Sequence, residues 1–206
     1  MTILYFVRHG ETDSTGKKIS GNLPEIHLNK RGEKQSTCIA SFFETTAIRA
    51  IYCSPMERTS ETATPLAVQK GLEIIKVTFL REIDFGDFQG KGEELEQSSL
   101  WKRFLTTPAR VRFPNGETVK EAQKRVVEGI NQLCSQFSSV EEIVCVAHCE
   151  VIRLAIAHVL KMPLDAYMTV TIDTGSISKV IWSGTSHKVI FLNHTPVISP
   201  DRLESK

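Results

Sequence analysis

Arg8, His9 and Gly10 follow directly on the apolar run Ile3-Leu4-Tyr5-Phe6-Val7. Such a run reads as a buried strand, and charge, imidazole and glycine at its carboxyl end are what an α/β protein sets at a binding crevice. The pattern occurs again: Ile143-Val144-Cys145-Val146-Ala147 reads as a buried strand, and His148 follows it. A third strand, over 50–53, ends at Cys53, and Arg58 falls in the first turn of the helix expected after it. If the strands are neighbours, two imidazoles and two guanidiniums meet at one rim. Guanidinium forks match phosphate oxygens in pairs, and the free N–H groups of a helix start add partial positive charge. A neutral imidazole nitrogen is nucleophilic at neutral pH and accepts a phosphoryl group, giving a phosphoramidate that water can cleave. These residue types therefore predict His9 as nucleophile, Arg8 as phosphate clamp, Arg58 on the same rim, and His148 as a donor to the phosphoryl oxygens in the transition state. A leaving alkoxide needs a proton. Glu82 is the candidate acid, and phosphate oxygens beside it would raise its pKa.

The elements that must position these groups follow from pattern. Asn29 is a plausible N-cap for a helix over 30–44 with Cys38, Ile39, Phe42 and Phe43 on its apolar stripe. Ser54, Pro55 and Glu57 fit N-cap, N1 and N3 of a helix running to 69 and closed by Gly71, with a strand over 73–77 beyond it. A polar helix is expected over 93–106. Thr118 and Glu121 form a capping box before a helix with Val119, Ala122, Val126, Ile130 and Leu133 at three- and four-residue spacing. Strands at 177–182 and 188–192, joined by Gly184-Thr185-Ser186, complete the pattern. Strands alternating with amphipathic helices predict an α/β three-layer sandwich, a mostly parallel mixed sheet with helices on both faces. The domain expectation is one unit over 1–206, with 83–117 as a lid-like insertion and 193–206 as a C-terminal tail.

The bulk composition narrows the partners. The chain has 206 residues, 41% hydrophobic and 24% charged, with a net charge of +1 from 25 basic and 24 acidic side chains. That balance gives no general reason to expect nucleic acid or a membrane as partner. The five cysteines (Cys38, Cys53, Cys134, Cys145 and Cys149) form no C-x-x-C pair. Reduced buried thiols and the absence of a signal-peptide pattern lead to an expected cytoplasmic location.

At the same residues the chain resembles the histidine phosphatases, the phosphoglycerate-mutase-like superfamily. Arg8-His9-Gly10-Glu11-Thr12 resembles its Arg-His-Gly-Glu-Ser/Thr signature, and Ser54-Pro55-Met56-Glu57-Arg58 its Ser-Pro-x-x-Arg segment. The stretch 80–90, the segment Pro114-Asn115-Gly116-Glu117-Thr118 and Val146-Ala147-His148 resemble three further family segments, in family order. The resemblance implies a phosphoglycerate-mutase-like fold. It implies His9 as phosphohistidine, Arg8, Arg58 and His148 as the phosphate pocket, and Glu82 as proton donor. Ser20 and Gly21 fall at positions that touch the phosphate, as does Cys149 after the second histidine. No metal and no cofactor are implied, and the substrate would be a small-molecule phosphate ester.

Three departures mark the pocket's outer wall. Cys149-Glu150 stands where relatives have Gly-Gly, Thr15 stands where the mutases carry Asn, and residues 24–28 leave the pattern. Glu150 is expected to point away from the phosphate; its sharper alternative is selection against a second anionic group. His27 is expected on the surface, and Lys102, Arg103, Arg110 and Arg112 on solvated faces. A short segment between Glu82 and Thr118 favours hydrolysis over a mutase, which must enclose its phosphohistidine. Two other classes stay open at this level. His9, Glu11, Asp13 and His148 would be the ligands of a metal hydrolase, although Arg8 and Arg58 would repel the ion. A non-catalytic module that binds phosphorylated ligands would also use these residue types.

Overall fold

β1 (Thr2–Arg8) alternates its side chains between two cores, with Leu4 and Phe6 on one face and Tyr5 and Val7 on the other. β4 (Glu141–Ala147) does the same with Ile143, Cys145 and Ala147 against Val144 and Val146. Strands that are apolar on both faces need helices on both faces. In the computed structural model, which describes residues 1–137, 140–184 and 186–197, they have them. α4 (Val119–Cys134) and α5 (Cys149–Val159) bury Val126, Ile130, Ile152 and Ala155 against the first face. α1 (Lys30–Phe42) and α2 (Glu57–Lys70) bury Ile39, Ala40, Ala63 and Leu66 against the second. The remaining elements are β2 (Ile48–Cys53), β3 (Ile74–Lys76), α3 (Ser99–Thr106), β5 (Ile177–Trp182) and β6 (Lys188–His194).

The six strands run β3-β2-β4-β1-β5-β6. The first four are mutually parallel, while β5 is antiparallel to both β1 and β6. The expected mixed, mostly parallel α/β sandwich is the fold. β1 and β4, the strands that end in histidine, are direct neighbours in register, Arg8 opposite Ala147.

Local signals act mostly as their chemistry dictates. Asn29 Oδ1 accepts from the amides of Arg31 and Gly32 at 3.0 and 2.9 Å, capping α1. Thr118 and Glu121 close a reciprocal capping box on α4, and Gly71 ends α2 at φ 62°. Several boundaries differ from expectation. β2 begins at Ile48, earlier than the predicted 50, and β3 is confined to Ile74–Lys76. The helix predicted over 93–106 is broken: a 3₁₀ turn, Glu93–Gln97, precedes α3, because Ser98 turns extended and caps the Trp101 amide. α2 starts at Glu57 behind Met56, so Ser54 does not cap it. β6 continues to His194, two residues into the expected tail; residues 198–206 of that tail, and Thr185 of the last turn, lie outside the described residues.

Residues of the 83–117 segment build a third apolar cluster. Ile83, Phe85, Phe88, Phe104 and Phe113 pack with Val119 and Ala122 of α4 and Leu154 and Ala157 of α5. At the opposite side of the crevice, α1 meets the loop after β1 backbone to backbone. A Cβ on Gly32 would lie 2.2 Å from the Glu11 carbonyl oxygen, and one on Gly10 2.7 Å from the Gly32 carbonyl oxygen. Neither backbone can yield without moving His9. Gly32→Ala is therefore expected to cost about 1–3 kcal/mol by overpacking, read as a lower urea midpoint at unchanged slope. An unaltered midpoint would show that α1 retreats freely.

Candidate active site

The parallel register carries three strand ends to one edge. The amide of His9 donates to the Ala147 carbonyl and that of Ser54 to the Val146 carbonyl, both at 3.0 Å, so the ladder runs on past β1 and β2. The two imidazole rings come to rest 5.3 Å apart, centre to centre, at 65°. Arg58 enters from the first turn of α2 and is only 1% exposed. Glu82 enters from the loop after the 3₁₀ turn Thr78–Leu80 and is 8% exposed.

Hydrogen bonds fix which atoms are free. His9 Nδ1 lies 2.7 Å from the Gly10 carbonyl, which can only accept, so Nδ1 carries the proton and Nε2 keeps its lone pair. The Gly10 amide is held by Thr62 Oγ1 at 2.9 Å, and that hydroxyl donates to the Arg58 carbonyl. His148 takes the other tautomer. Arg58 Nη2 donates to its Nδ1 at 3.2 Å, leaving Nε2–H to donate to Ser54 Oγ at 2.8 Å. Ser54 thus orients the second histidine, and this explains its absence from the α2 cap. Both imidazoles are held well below their ordinary pKa, first by burial, then by Arg58; Arg8 adds to this in both, and His9 lowers His148 further.

The guanidiniums are only partly satisfied by protein. Arg8 Nη1 donates to the Ile172 carbonyl and Arg58 Nη2 to the Gly21 carbonyl, each at 2.7 Å. Arg8 Nε, Arg58 Nε and Arg58 Nη1 are buried with no hydrogen-bond partner in the protein. Buried cations with unmatched N–H groups are costly unless an anion meets them. Three such donors beside an imidazole lone pair suit a tetrahedral oxyanion.

Glu82 is the opposite case. Its pKa rises to about 7, first through burial and second through the neighbouring Glu150. The amides of Ile83 and Glu150, donating to Oε1 and Oε2 at 3.0 and 3.3 Å, and the charge of Arg58 pull the other way and lose. Arg125 of α4 anchors this loop by donating to the carbonyls of Phe79, Arg81 and Glu82, and Glu117 pairs with Arg125 while accepting from the Asp84 amide.

All eight residues singled out in the sequence, Arg8, His9, Ser20, Gly21, Arg58, Glu82, His148 and Cys149, line one cavity of about 150 Å³. Thr15, Gly16, Lys18, Ile19, Phe85 and Glu150 complete its wall. Their parts differ in kind. Ser20 Oγ is engaged with Ser14 Oγ at 2.8 Å, and Gly21 contributes its carbonyl to Arg58. Cys149 directs its thiol to the Ile172 carbonyl; burial, then Glu150, push that thiol up to about 12, so it is neutral. Glu150 borders the cavity beside Glu82, to which its backbone amide donates, while its carboxylate is paired with Arg153 at 2.8 Å. Glu11, a ligand in the metal-hydrolase alternative, is turned to Asn29 and Arg31. Among the described residues no cluster of three or more His, Cys, Asp or Glu side chains has the geometry to hold a metal ion. His27 is exposed and bound to Glu61, and Lys102, Arg103, Arg110 and Arg112 lie outside the cavity. Ser54, Thr62, Glu117 and Arg125 were not singled out as site residues. Their only sequence signal is that they fall in or near the segments quoted for the resemblance.

Comparison with known proteins gives the family and the fold. The family profile described as "Histidine phosphatase superfamily (branch 1)" matches residues 4–195. Phosphoserine phosphatase 1 of Hydrogenobacter thermophilus is 27% identical over 198 residues, covering 95% of this chain and 93% of that protein. A probable phosphoglycerate mutase of Cronobacter sakazakii is 28% identical over 184 residues, covering 87% and 85%. The crystal structure of a phosphoserine phosphatase from Entamoeba histolytica in complex with 3-phosphoglyceric acid superposes with a TM-score of 0.84 at 28% identity, covering 95% of this chain and 98% of that one.

Proposed function

Since the chain belongs to the histidine phosphatase superfamily, we propose that it hydrolyses a small phosphorylated metabolite through a phosphohistidine on His9. The chain is a phosphoric monoester hydrolase of that family. The observation that carries the finer reading is the set of buried, unpartnered guanidinium N–H groups of Arg8 and Arg58 around an imidazole whose tautomer leaves Nε2 free. Arg8 and Arg58 hold the phosphoryl oxygens. His9 Nε2 attacks phosphorus as the ester P–O bond breaks, and Glu82 delivers its proton to the departing oxygen. Water then attacks the phosphohistidine, Glu82 takes a proton from it, the P–N bond breaks, and inorganic phosphate leaves. His148 enters neutral with its Nδ1 lone pair toward Arg58. The arriving phosphoryl charge opposes the causes that hold its pKa down, so as substrate binds Nδ1 takes a proton from solvent, Arg58 Nη2 redirects its N–H to a phosphoryl oxygen, and the imidazolium donates to the developing charge.

Hydrolysis is favoured over mutase chemistry by the wall of the cavity. That wall includes the acidic Glu150 and none of the basic residues of 102–112, with Lys18 as its one cation beyond the two arginines. The segment 83–117, which brings Phe85 to the cavity, acts as a lid on a single domain over 1–206. Two arginines at the site support metal-independent turnover, checked by activity in excess chelator. Five free cysteines support a reducing, cytoplasmic setting. No helix among the described residues is long and apolar enough to cross a membrane.

The proton-donor role has a leaving-group signature. Glu82→Gln is expected to lower kcat/KM, which reports only the transfer to His9 and not the later hydrolysis, on an alkyl phosphate by about 10²–10⁴-fold. On an aryl phosphate with an acidic phenol, whose oxygen departs without a proton, the loss should be far smaller. Equal losses on both substrates would overturn the role. Release of inorganic phosphate, against isomerisation of 3-phosphoglycerate, separates hydrolase from mutase.

A further inference from the structure

Glu150 does something that the resemblance does not assign. It opens α5 immediately after His148, and its amide donates to Glu82 Oε2 at 3.3 Å, which brings the backbone of one acidic residue onto the carboxyl of the other. Its side chain is pinned: Oε1 accepts from Arg153 Nη1 at 2.8 Å, and Arg153 Nε is in turn fixed on the Val170 carbonyl at 2.8 Å. Its other oxygen, Oε2, is buried toward the fully buried Tyr167, whose phenol interacts with the Glu150 carboxylate. A carboxylate fixed in this way cannot swing to solvent to relieve repulsion from its neighbour.

We propose that Glu150 is a positioning residue for the proton donor, a fixed negative charge that keeps the Glu82 carboxyl in its proton-bearing form at neutral pH. The inference rests on the reading of Glu82 as general acid. Arg8 and Lys18 share the cavity with Glu82, and Arg153 offsets part of the Glu150 charge it pairs with; the groups that act on the Glu82 carboxyl itself can be weighed. Arg58 from α2 favours its ionised form, as do the two backbone amides. Arg125 from α4 donates to the Glu82 main-chain carbonyl rather than to its carboxyl. His9 and His148 are uncharged in the free site, and the Tyr167 phenol is kept protonated by burial and by both carboxylates. Glu150 is then the charged neighbour that works with burial, and it is the second of the causes that bring Glu82 to about 7. A donor at that value holds its proton at the pH where its partner His9 is neutral, and it recovers the proton from water in the second half of turnover.

The test is the ratio of kcat/KM for an alkyl over an aryl phosphate as a function of pH, a quantity that reports only the leaving-group step and that a change in the folded fraction leaves alone. In the wild-type enzyme the ratio should fall on the alkaline side as Glu82 loses its proton. Glu150→Gln keeps an acceptor for Arg153 and removes the charge, so the fall should move to lower pH by about one unit, a roughly tenfold lower ratio on the alkaline side. Glu150→Gly, which removes the side chain altogether, should move it the same way. Glu82→Gln serves as the reference. If it leaves the ratio intact, the donor reading itself fails. If it collapses the ratio while both Glu150 variants fall at the wild-type pH, the donor reading stands and the role of Glu150 is overturned.

Discussion

His9→Ala is expected to lower kcat on any phosphomonoester by at least about 10⁴-fold, the scale on which removing a covalent nucleophile acts when the rest of a site is intact. Binding should survive. Arg8 and Arg58 hold their positions through the Ile172 and Gly21 carbonyls, not through His9. Inorganic phosphate should therefore still protect the variant against heat. The loss should be equal for alkyl and aryl phosphates, because both pass through the same attack, and this separates it from the Glu82 variant. A residual rate within about tenfold of wild type would mean that water attacks the ester directly, a difference of only about 1.4 kcal/mol in barrier.

Arg58→Met should produce the second-largest effect, a fall of about 10³-fold in kcat/KM, in the range for removing a preorganised donor to developing charge. Its influence on stability should have the opposite sign. Arg58 is 1% exposed and leaves two of its nitrogens without partners in the free protein, so an apolar side chain of similar length removes a desolvated charge. The variant is expected to melt no lower than wild type without phosphate, and to gain much less when phosphate is added. The pH dependence follows. His9 and His148 have depressed pKa values in the folded state, so their contribution to stability is complete above the ordinary imidazole value of about 6.5 and is lost as pH falls through the folded values. Arg58 is the second cause of both depressions, after burial. Without it the folded values rise, and less stability should be lost between neutral and mildly acidic pH. A variant that melts far below wild type at every pH would make Arg58 a structural residue first.

Glu82 works against the two histidines in this linkage. Its folded pKa, about 7, is raised, so its contribution is complete below the ordinary carboxylate value and is lost as pH rises through about 7. The free site is therefore penalised from both directions: acid charges imidazoles that burial wants neutral, and alkali charges a carboxyl that burial wants protonated. A binding site holding one buried and one half-buried arginine can carry this strain because the anion it binds relieves it.

What the sequence revealed of this site was whatever is written in consecutive residues. Apolar runs broken by Arg8-His9 and by His148 identify strand ends, and parallel pairing of β1 with β4 converts two separate signals into one crevice. Asn29, Thr118 and Gly71 act on their own neighbours and could be read locally. Ser54 shows where local reading fails. It has the type and spacing of an N-cap, yet its hydroxyl is claimed by His148, 94 positions away. Glu150 shows a related limit. Repulsion from a phosphate predicts that it turns from the anion, but not which group receives it: its carboxylate is taken by Arg153, one helical turn on. Arg125 and Glu117 carry no chemistry of their own; they hold main-chain carbonyls and amides of the loop that bears Glu82, contacts that no residue type announces. The 93–106 helix broke because a serine in its middle caps the second half more favourably than it continues the first.

Passage of the phosphoryl group through His9 can be seen by trapping it. Enzyme mixed with a radiolabelled phosphomonoester and quenched in alkali within one turnover should carry label on a single peptide, at His9. That label should be lost in acid, as a phosphoramidate is, and His9→Ala should carry none. Steady turnover with no label at any quench time, or label persisting in the His9→Ala protein, would contradict the account.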